Sequence, residues 1–328
     1  MQLLTPYQWH KVDVANAFGL DKDVWDKRLE WFDLNEGRLE SLVDEADDKW
    51  AYIKAVSAIR DVQAGKPTGH PIGLDATASG LGIIACLTGC IKTASNVNLV
   101  RTGKREDPYT KVSEEIYAVH KLRLARSLIK YPIMTVFYNS TAKPKEILGE
   151  GKELEAFYDI LERELPGGVE YLTDVQSCWN PEALEYIWTL PDGHKAVVKV
   201  MDAIDSKVEI DELDGVSFTY RRKINKAIEY GLSLQANIVQ SVDGYVVREM
   251  KRRCRNSGFN ICTIFDDFRC LARYVNKMRQ HYIDIMAEIA ESDLLSSILS
   301  EILGFEIEYE KKSDNLADLI RDAEYPLS

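Results

Sequence analysis

Two short apolar segments far apart in the chain each lead into an aspartate: Ile72-Gly-Leu74 into Asp75, and Ile264-Phe265 into Asp266, which Asp267 follows. Residues 260–270 alternate apolar and polar on both sides of that acidic pair, which predicts a hairpin with Asp266 and Asp267 near its tip. Strand-end placement suits a metal carboxylate, because a rigid sheet fixes its position. Between the two segments, Arg126-Ser-Leu-Ile-Lys130-Tyr-Pro-Ile-Met134-Thr-Val-Phe-Tyr138 reads as a helix carrying cations at its start. Two carboxylates can hold a pair of divalent ions in line with attacking and leaving oxygens, and fixed cations can take up charge on a departing pyrophosphate. Those are the requirements of phosphodiester synthesis.

The rest of the chain reads as a mixture of helices and short strands. Residues 7–60 are predicted helical, with Trp25, Leu29 and Phe32 recurring on one face, and Ser79-Gly80 open an apolar helix through Cys90. A helical pattern over 111–137 sets Arg123, Arg126 and Lys130 on one side, with Pro132 expected to kink or restart it. Further helices are expected over 146–190, broken at Pro166-Gly-Gly168 and Pro181. Strands follow near 196–201 and 217–220 with an acidic connection, then helices near 223–230, 275–290 and 294–302. There are no internal repeats.

At 328 residues with 45% hydrophobic side chains, the chain has ample core and no apolar run of membrane-spanning length, and it is expected to work in cytoplasm. Six cysteines without paired C-x-x-C spacing read as buried thiols rather than metal ligands. The net charge of −12 speaks against nucleic-acid binding only as an average. Cations gather at 101–130 and 221–255, flanking the proposed motifs, while acid concentrates at 34–48 and from Asp284 to Glu324.

The order of these segments resembles the A, B and C motifs of the single-subunit, T7-like RNA polymerases of phages and mitochondria. The likeness continues through Gly19-Leu-Asp-Lys22 with Arg28, Val97-Asn-Leu99 with Asp107-Pro-Tyr109, Trp188-Thr-Leu-Pro-Asp-Gly193, Val239-Gln-Ser-Val-Asp-Gly244 and Tyr325-Pro-Leu-Ser328. The resemblance implies an α+β fold, the palm and fingers of a right-hand polymerase. Residues 1–110 would form the first part of the palm with motif A and N-terminal helices. Residues 111–235 would form the fingers with motif B and a specificity-loop-like hairpin, and 236–328 the second part of the palm with motif C and a C-terminal tail.

It also implies the site. Asp75, Asp266 and the carbonyl of Ala76 would hold two Mg²⁺, which polymerases keep with few carboxylates plus substrate phosphates. Lys130 would protonate or neutralise the leaving pyrophosphate and Arg126 would clamp the triphosphate. Met134, Tyr138, Gly80 and Tyr109 would surround the nucleotide, with Asp107 beside them. Gln240, Asp243 and Gly244 would approach the minor groove of the primer–template. In related DNA polymerases the fifth residue after the motif A aspartate is a glutamate that blocks the 2′-hydroxyl; Gly80 leaves room for ribose.

The chain departs from the family pattern at Gly82-Ile83 for Gln-His, at Phe265 and Asp267 around motif C, at Gln240 for histidine and at Asn139 for glycine. On this resemblance the thumb, the N-terminal promoter domain and the T/D-x-x-G-R palm segment are expected to lie outside this chain. This resembles the catalytic subunit of the heterodimeric polymerase of N4-like phages, which implies a smaller partner supplying those parts. DNA template, RNA product, nucleoside triphosphates and an accessory promoter or single-stranded-DNA-binding protein complete the expected partners. A family A-like DNA polymerase and a non-catalytic nucleic-acid-binding subunit are the alternatives.

Overall fold

The computed structural model describes residues 1–226 and 234–328. Three helices form its N-terminal part. Thr5 and Gln8 build a capping box on α1 (Pro6–Ala15), and Asp48 caps α3 (Lys49–Gln63). Between them α2 (Trp25–Asn35) buries Trp25 and Phe32 in two neighbouring apolar clusters, as the helical period predicts. The bend from α1 to α2 turns at Gly19, whose φ of 123° and 2.7 Å clearance from the Asp47 carboxylate leave no place for a side chain.

β1 (Pro71–Asp75) then leads into α4 (Ser79–Thr88), α5 (Ile91–Asn96), α6 (Pro108–His120) and α7 (Arg126–Val136). The single helix expected over 111–137 is therefore two. Lys121 closes α6 in the left-handed region at φ 59°, and the restart falls at Arg126, while α7 runs through Pro132. Arg123 consequently stands off α7, over the Tyr117 ring at 5.1 Å, and does not share a face with Arg126 and Lys130.

α8 (Ala142–Leu148), α9 (Lys152–Glu164) and α10 (Pro166–Ser177) follow, Pro166 starting α10 at the predicted break. Trp188 lies in a strand instead of a helix, in the hairpin of β2 (Glu185–Thr189) and β3 (Lys195–Lys199). A longer hairpin pairs β4 (Met201–Ile210) with β5 (Val216–Asn225). The expected acidic connection is largely β4 itself. Its register sets Asp205 on Arg221 of β5, and Asp202 bonds Lys226 just past the end of β5, each at 3.1 Å. The helix expected near 223–230 is strand through Asn225, and 227–233 lie outside the described residues.

The remainder comprises α11 (Leu234–Asn256), β6 (Cys262–Ile264), β7 (Asp267–Leu271), α12 (Val275–Glu291), α13 (Leu294–Leu303) and α14 (Leu316–Arg321). α12 and α13 match expectation within a residue or two, whereas α11 and α14 were not anticipated. Helix and sheet are thus mixed, compatible with the α+β expectation. Of the six thiols, Cys262 is exposed and the others are buried. Among the described residues no helix is long and apolar enough to cross a membrane.

A small antiparallel sheet, ordered β1-β7-β6, joins the two distant aspartate segments, with Asp75 directly opposite Asp267. The outer edge of β1 is not left open at this end. Leu327 bridges Ala76, and the Ser328 N–H donates to the Asp75 carbonyl at 3.0 Å. α4 packs beneath, wrapped by α10, α11 and α12, and every residue from Leu81 to Thr88 is buried.

One buried ion pair ties the chain's remote parts together. Arg279 reaches the Glu324 carboxylate at 3.2 Å and packs against the rings of Trp9 and Trp25, while Glu324 also accepts from Trp25 Nε1 at 2.9 Å. Removing one partner leaves a desolvated charge behind. Glu324→Ala should therefore destabilise the protein by about 3–5 kcal/mol, read from the urea midpoint; a shift below about 1 kcal/mol would place the pair with ordinary surface bridges.

Candidate active site

Asp75 ends β1 and Asp266 occupies the two-residue turn between β6 and β7. That turn is tight: Phe265, its first central residue, takes φ 55°, an uncommon conformation for a bulky side chain, and is highly exposed. The acidic pair is sorted by its neighbours. Asp267 is engaged by Arg269, two residues along the same strand face, with Nε at 3.0 Å and Nη2 at 2.5 Å. No such cation meets Asp75 or Asp266 among the described residues. Desolvation in the cleft, then the charges of Asp266 and Asp267, push the Asp75 carboxyl up to about 6.

A cleft of about 390 Å³ opens over these carboxylates. It is lined by Asp75, Ala76, Asp266, Gly80, Tyr109, Arg126, Lys130, Met134 and Tyr138, so nine of the sequence-predicted site residues meet in one place. α7 forms one wall. Its apolar side, Ile129, Pro132, Ile133 and Val136, is buried, which turns Lys130, Met134 and, just past its end, Tyr138 outward. A Cβ on Gly80 would lie 2.7 Å from the Tyr138 hydroxyl, so glycine is what lets the tyrosine stand over α4. Burial, then Asp243 and Asp266, raise the Tyr138 phenol above its ordinary range.

At the other end of α7, Arg126 forks onto Asp107, Nε at 2.5 Å and Nη2 at 2.9 Å, over the Tyr109 ring. Burial would raise Asp107, but bonds from Arg126 and Thr110 hold it below the ordinary carboxylate range. Lys130 lies 5.9 Å from the same ring and has no carboxylate partner among the described residues.

The motifs around the cleft act as supports. Asn98 donates to Thr77 Oγ1 and the Glu106 carbonyl, both at 2.9 Å, and accepts from the Glu106 N–H at 2.6 Å, fastening the 99–106 loop to the segment after Asp75. Arg28 bonds Asn16 and the carbonyls of Asp21 and Asp23, which holds Asp21 and Lys22 at the rim. Trp188 donates to Ser241 at 3.0 Å and Arg248 grips Asp192, docking the β2–β3 hairpin on α11.

Gln240, Asp243 and Gly244 sit on α11, beside the cleft instead of lining it. Val239, one turn before Asp243, approaches Gly80, and desolvation with the Asp266 charge pushes Asp243 up to about 6. Gln240 is exposed. Sequence reasoning gave no role to Arg105, Lys22 or the C-terminal residues, all of which border the cleft or β1. The cation cluster at 101–105 was the available signal for Arg105; nothing local announced the Ser328 contact.

The donor set fits Mg²⁺. Two neighbouring hard carboxylates without protein cations suit an ion that keeps water and substrate oxygens as its other ligands. No group of three or more candidate metal ligands occurs among the described residues.

A family model described as DNA-dependent RNA polymerase matches residues 5–175. The DNA-directed RNA polymerase of Pseudomonas phage phiKMV is 31% identical over 172 residues, covering 41% of this chain and 21% of that protein. A mitochondrial DNA-directed RNA polymerase of Neurospora crassa is 27% identical over 195 residues, covering 50% and 13%. A probable DNA-directed RNA polymerase of Neurospora crassa is 26% identical over 159 residues, covering 40% and 17%. The chain thus spans about a fifth or less of the length of these relatives. Asp266 falls beyond the family-matched residues, and the β1–β7 pairing is what sets it beside the matched Asp75. The chain belongs to the single-subunit, T7-like family of DNA-dependent RNA polymerases.

Proposed function

We propose that this chain is the catalytic part of a DNA-directed RNA polymerase, joining ribonucleoside triphosphates by nucleotidyl transfer under a DNA template. The observation that carries the reading is the cleft itself, where two carboxylates from remote strands face two cations on one helix and a tyrosine over a glycine. Residues 1–110 and 236–328, which both contribute to the sheet, would be the palm, and 111–235 the fingers.

Asp75 and Asp266, with the Ala76 carbonyl, would hold two Mg²⁺. When bound, the ions would lower the pKa of the primer's 3′-hydroxyl and neutralise charge on the phosphates. Arg126 binds the triphosphate, using the donors that Asp107 leaves free. Lys130, one turn on, delivers a proton or its charge to the departing pyrophosphate. Tyr109 lines the same pocket, Met134 and Tyr138 cover the base end, and Gly80 admits the 2′-hydroxyl. Gln240, Asp243 and Gly244 on α11 face the primer–template.

The likeness to N4-like phage enzymes supports a second polypeptide that supplies the thumb and the T/D-x-x-G-R segment, acting in the host cytoplasm. Promoter choice falls to an accessory protein, since on the β4–β5 hairpin Arg221 is spent on Asp205 and Arg222 Nε on Ser206.

The test is extension of an RNA primer on a DNA template by the assembled polymerase, with ribo- and deoxyribonucleotides compared side by side. Ribonucleotides should be strongly preferred, and Tyr138→Phe should relax that preference by about tenfold, the scale of one lost hydrogen bond. Preferred deoxyribonucleotide use would return the reading to a DNA polymerase, and unchanged preference in the Phe variant would remove Tyr138 from the sugar site.

A further inference from the structure

Arginines around the cleft are mostly committed to protein partners. Arg28 distributes its guanidinium over Asn16 and two backbone carbonyls, Arg126 forks onto Asp107, and Arg269 onto Asp267. Arg105 differs. It lines the cleft, yet no carboxylate lies within ion-pairing distance of it among the described residues, and its only side-chain bond runs from Nε to Ser328 Oγ at 2.7 Å. Both terminal amino groups are left without a partner among the described residues.

The side chain is also held in place. Its neighbour Glu106 is bonded through both backbone groups to Asn98, and Asp107 caps α6 two residues on, so the backbone carrying Arg105 is fixed on both sides. From behind, Ser328 fixes Nε. A guanidinium bonded only through Nε presents its two amino groups as a fork, the geometry that matches two phosphate oxygens.

Charge locates it along the cleft. Its strongest electrostatic neighbours are Asp21, Asp107, Asp75 and Arg126, which set it near the Arg126 end of α7, away from Gly80 and Tyr138. Burial pulls its guanidinium below the ordinary range. An anion entering at this end satisfies it.

We infer that Arg105 is a substrate-binding residue for the β- and γ-phosphates of the incoming nucleoside triphosphate, a third cation beside Arg126 and Lys130. This rests on the nucleotidyl-transfer reading given above. Because Asp107 already occupies two nitrogens of Arg126, the free fork of Arg105 offers the stronger bidentate grip on the phosphate tail. Its charge also lies close enough to Asp75 to compete for the same role as a counter-ion, and the experiment separates the two.

Arg105→Gln and Arg105→Lys are compared with wild type in the assembled polymerase, extending a preformed RNA–DNA hybrid. The Gln variant should raise KM for nucleoside triphosphate by roughly 10–100-fold, the loss of charge-assisted hydrogen bonds, with kcat within about threefold and hybrid binding unchanged. In the reverse reaction its KM for pyrophosphate should rise in parallel. The Lys variant, charged but unforked, should fall between. An unchanged triphosphate KM in a folded variant overturns the inference, as does a Mg²⁺ requirement that shifts without it, which would make Arg105 a partner of Asp75. Equal losses in kcat, triphosphate affinity and hybrid binding would mark a structural role. Should the Gln variant fail to fold, a wild-type KM in the Lys variant overturns the inference instead. Asp75→Asn is the companion control: if it extends primers normally the nucleotidyl-transfer reading itself falls, whatever Arg105 does.

Discussion

Asp75→Asn and Asp266→Asn are each expected to abolish nucleotide addition while leaving the protein folded. Asparagine keeps the shape of the side chain and removes the charge that attracts the ions. Losing Lewis-acid stabilisation worth several kcal/mol lowers the rate by on the order of 10³-fold or more. Asp267→Asn should be much milder, since that carboxylate is already engaged by Arg269. Folding should move the other way. Like charges gathered at one end of the sheet oppose one another, so the Asn variants at 75 and 266 should melt no lower than wild type. Primer extension on a preformed RNA–DNA hybrid, paired with thermal melts, reads both quantities. Near-normal extension by the Asp266→Asn protein would remove the metal assignment.

Lys130→Ala is the second large effect. The ammonium lies over the Tyr109 ring with no carboxylate holding it among the described residues, whereas Arg126 is fixed to Asp107, so Lys130 is the cation able to follow charge onto the departing pyrophosphate. An interaction that strengthens only as the bond breaks is lost from the chemical step rather than from binding. Single-turnover rates should fall by roughly 10²–10⁴-fold, the range for a general acid, with triphosphate affinity changing far less. A loss of only severalfold would reduce Lys130 to an ordinary surface cation.

The site was legible where its geometry is local. Alternation around 260–270 announced the β6–β7 hairpin, and the short strand before Asp75 was marked by its apolar residues and the following Ser-Gly. The boundaries of α7 were not. Periodicity runs on from α6, and the break at Lys121 reflects tertiary packing, with Ser113 Oγ bonding the Leu124 carbonyl across the turn. Arg105 stayed without a role because its tether is Ser328, which no window of sequence contains. The choice between Asp266 and Asp267 rests on Arg269, two residues along the same strand face, where the period of two could have revealed it. Gln240, Asp243 and Gly244 were placed near the site by resemblance, and α11 sets them just behind its rim.

The pairing of β1 with β7 and with Leu327 also puts a clock on the making of the protein. During synthesis β1 leaves the ribosome about 190 residues ahead of β7, and at ~5–20 residues per second it waits roughly 10–40 s for its neighbour. Its edge at Asp75 and Ala76 waits longer still, for Leu327 and Ser328. Until α5, α10 and α11 have emerged to pack on it, the apolar run of α4 has only its upstream neighbours for cover, the condition under which nascent chains recruit chaperones or stick to one another. A chain released before Leu327 and Ser328 are made therefore carries most of these helices but an open edge on the sheet that holds Asp75.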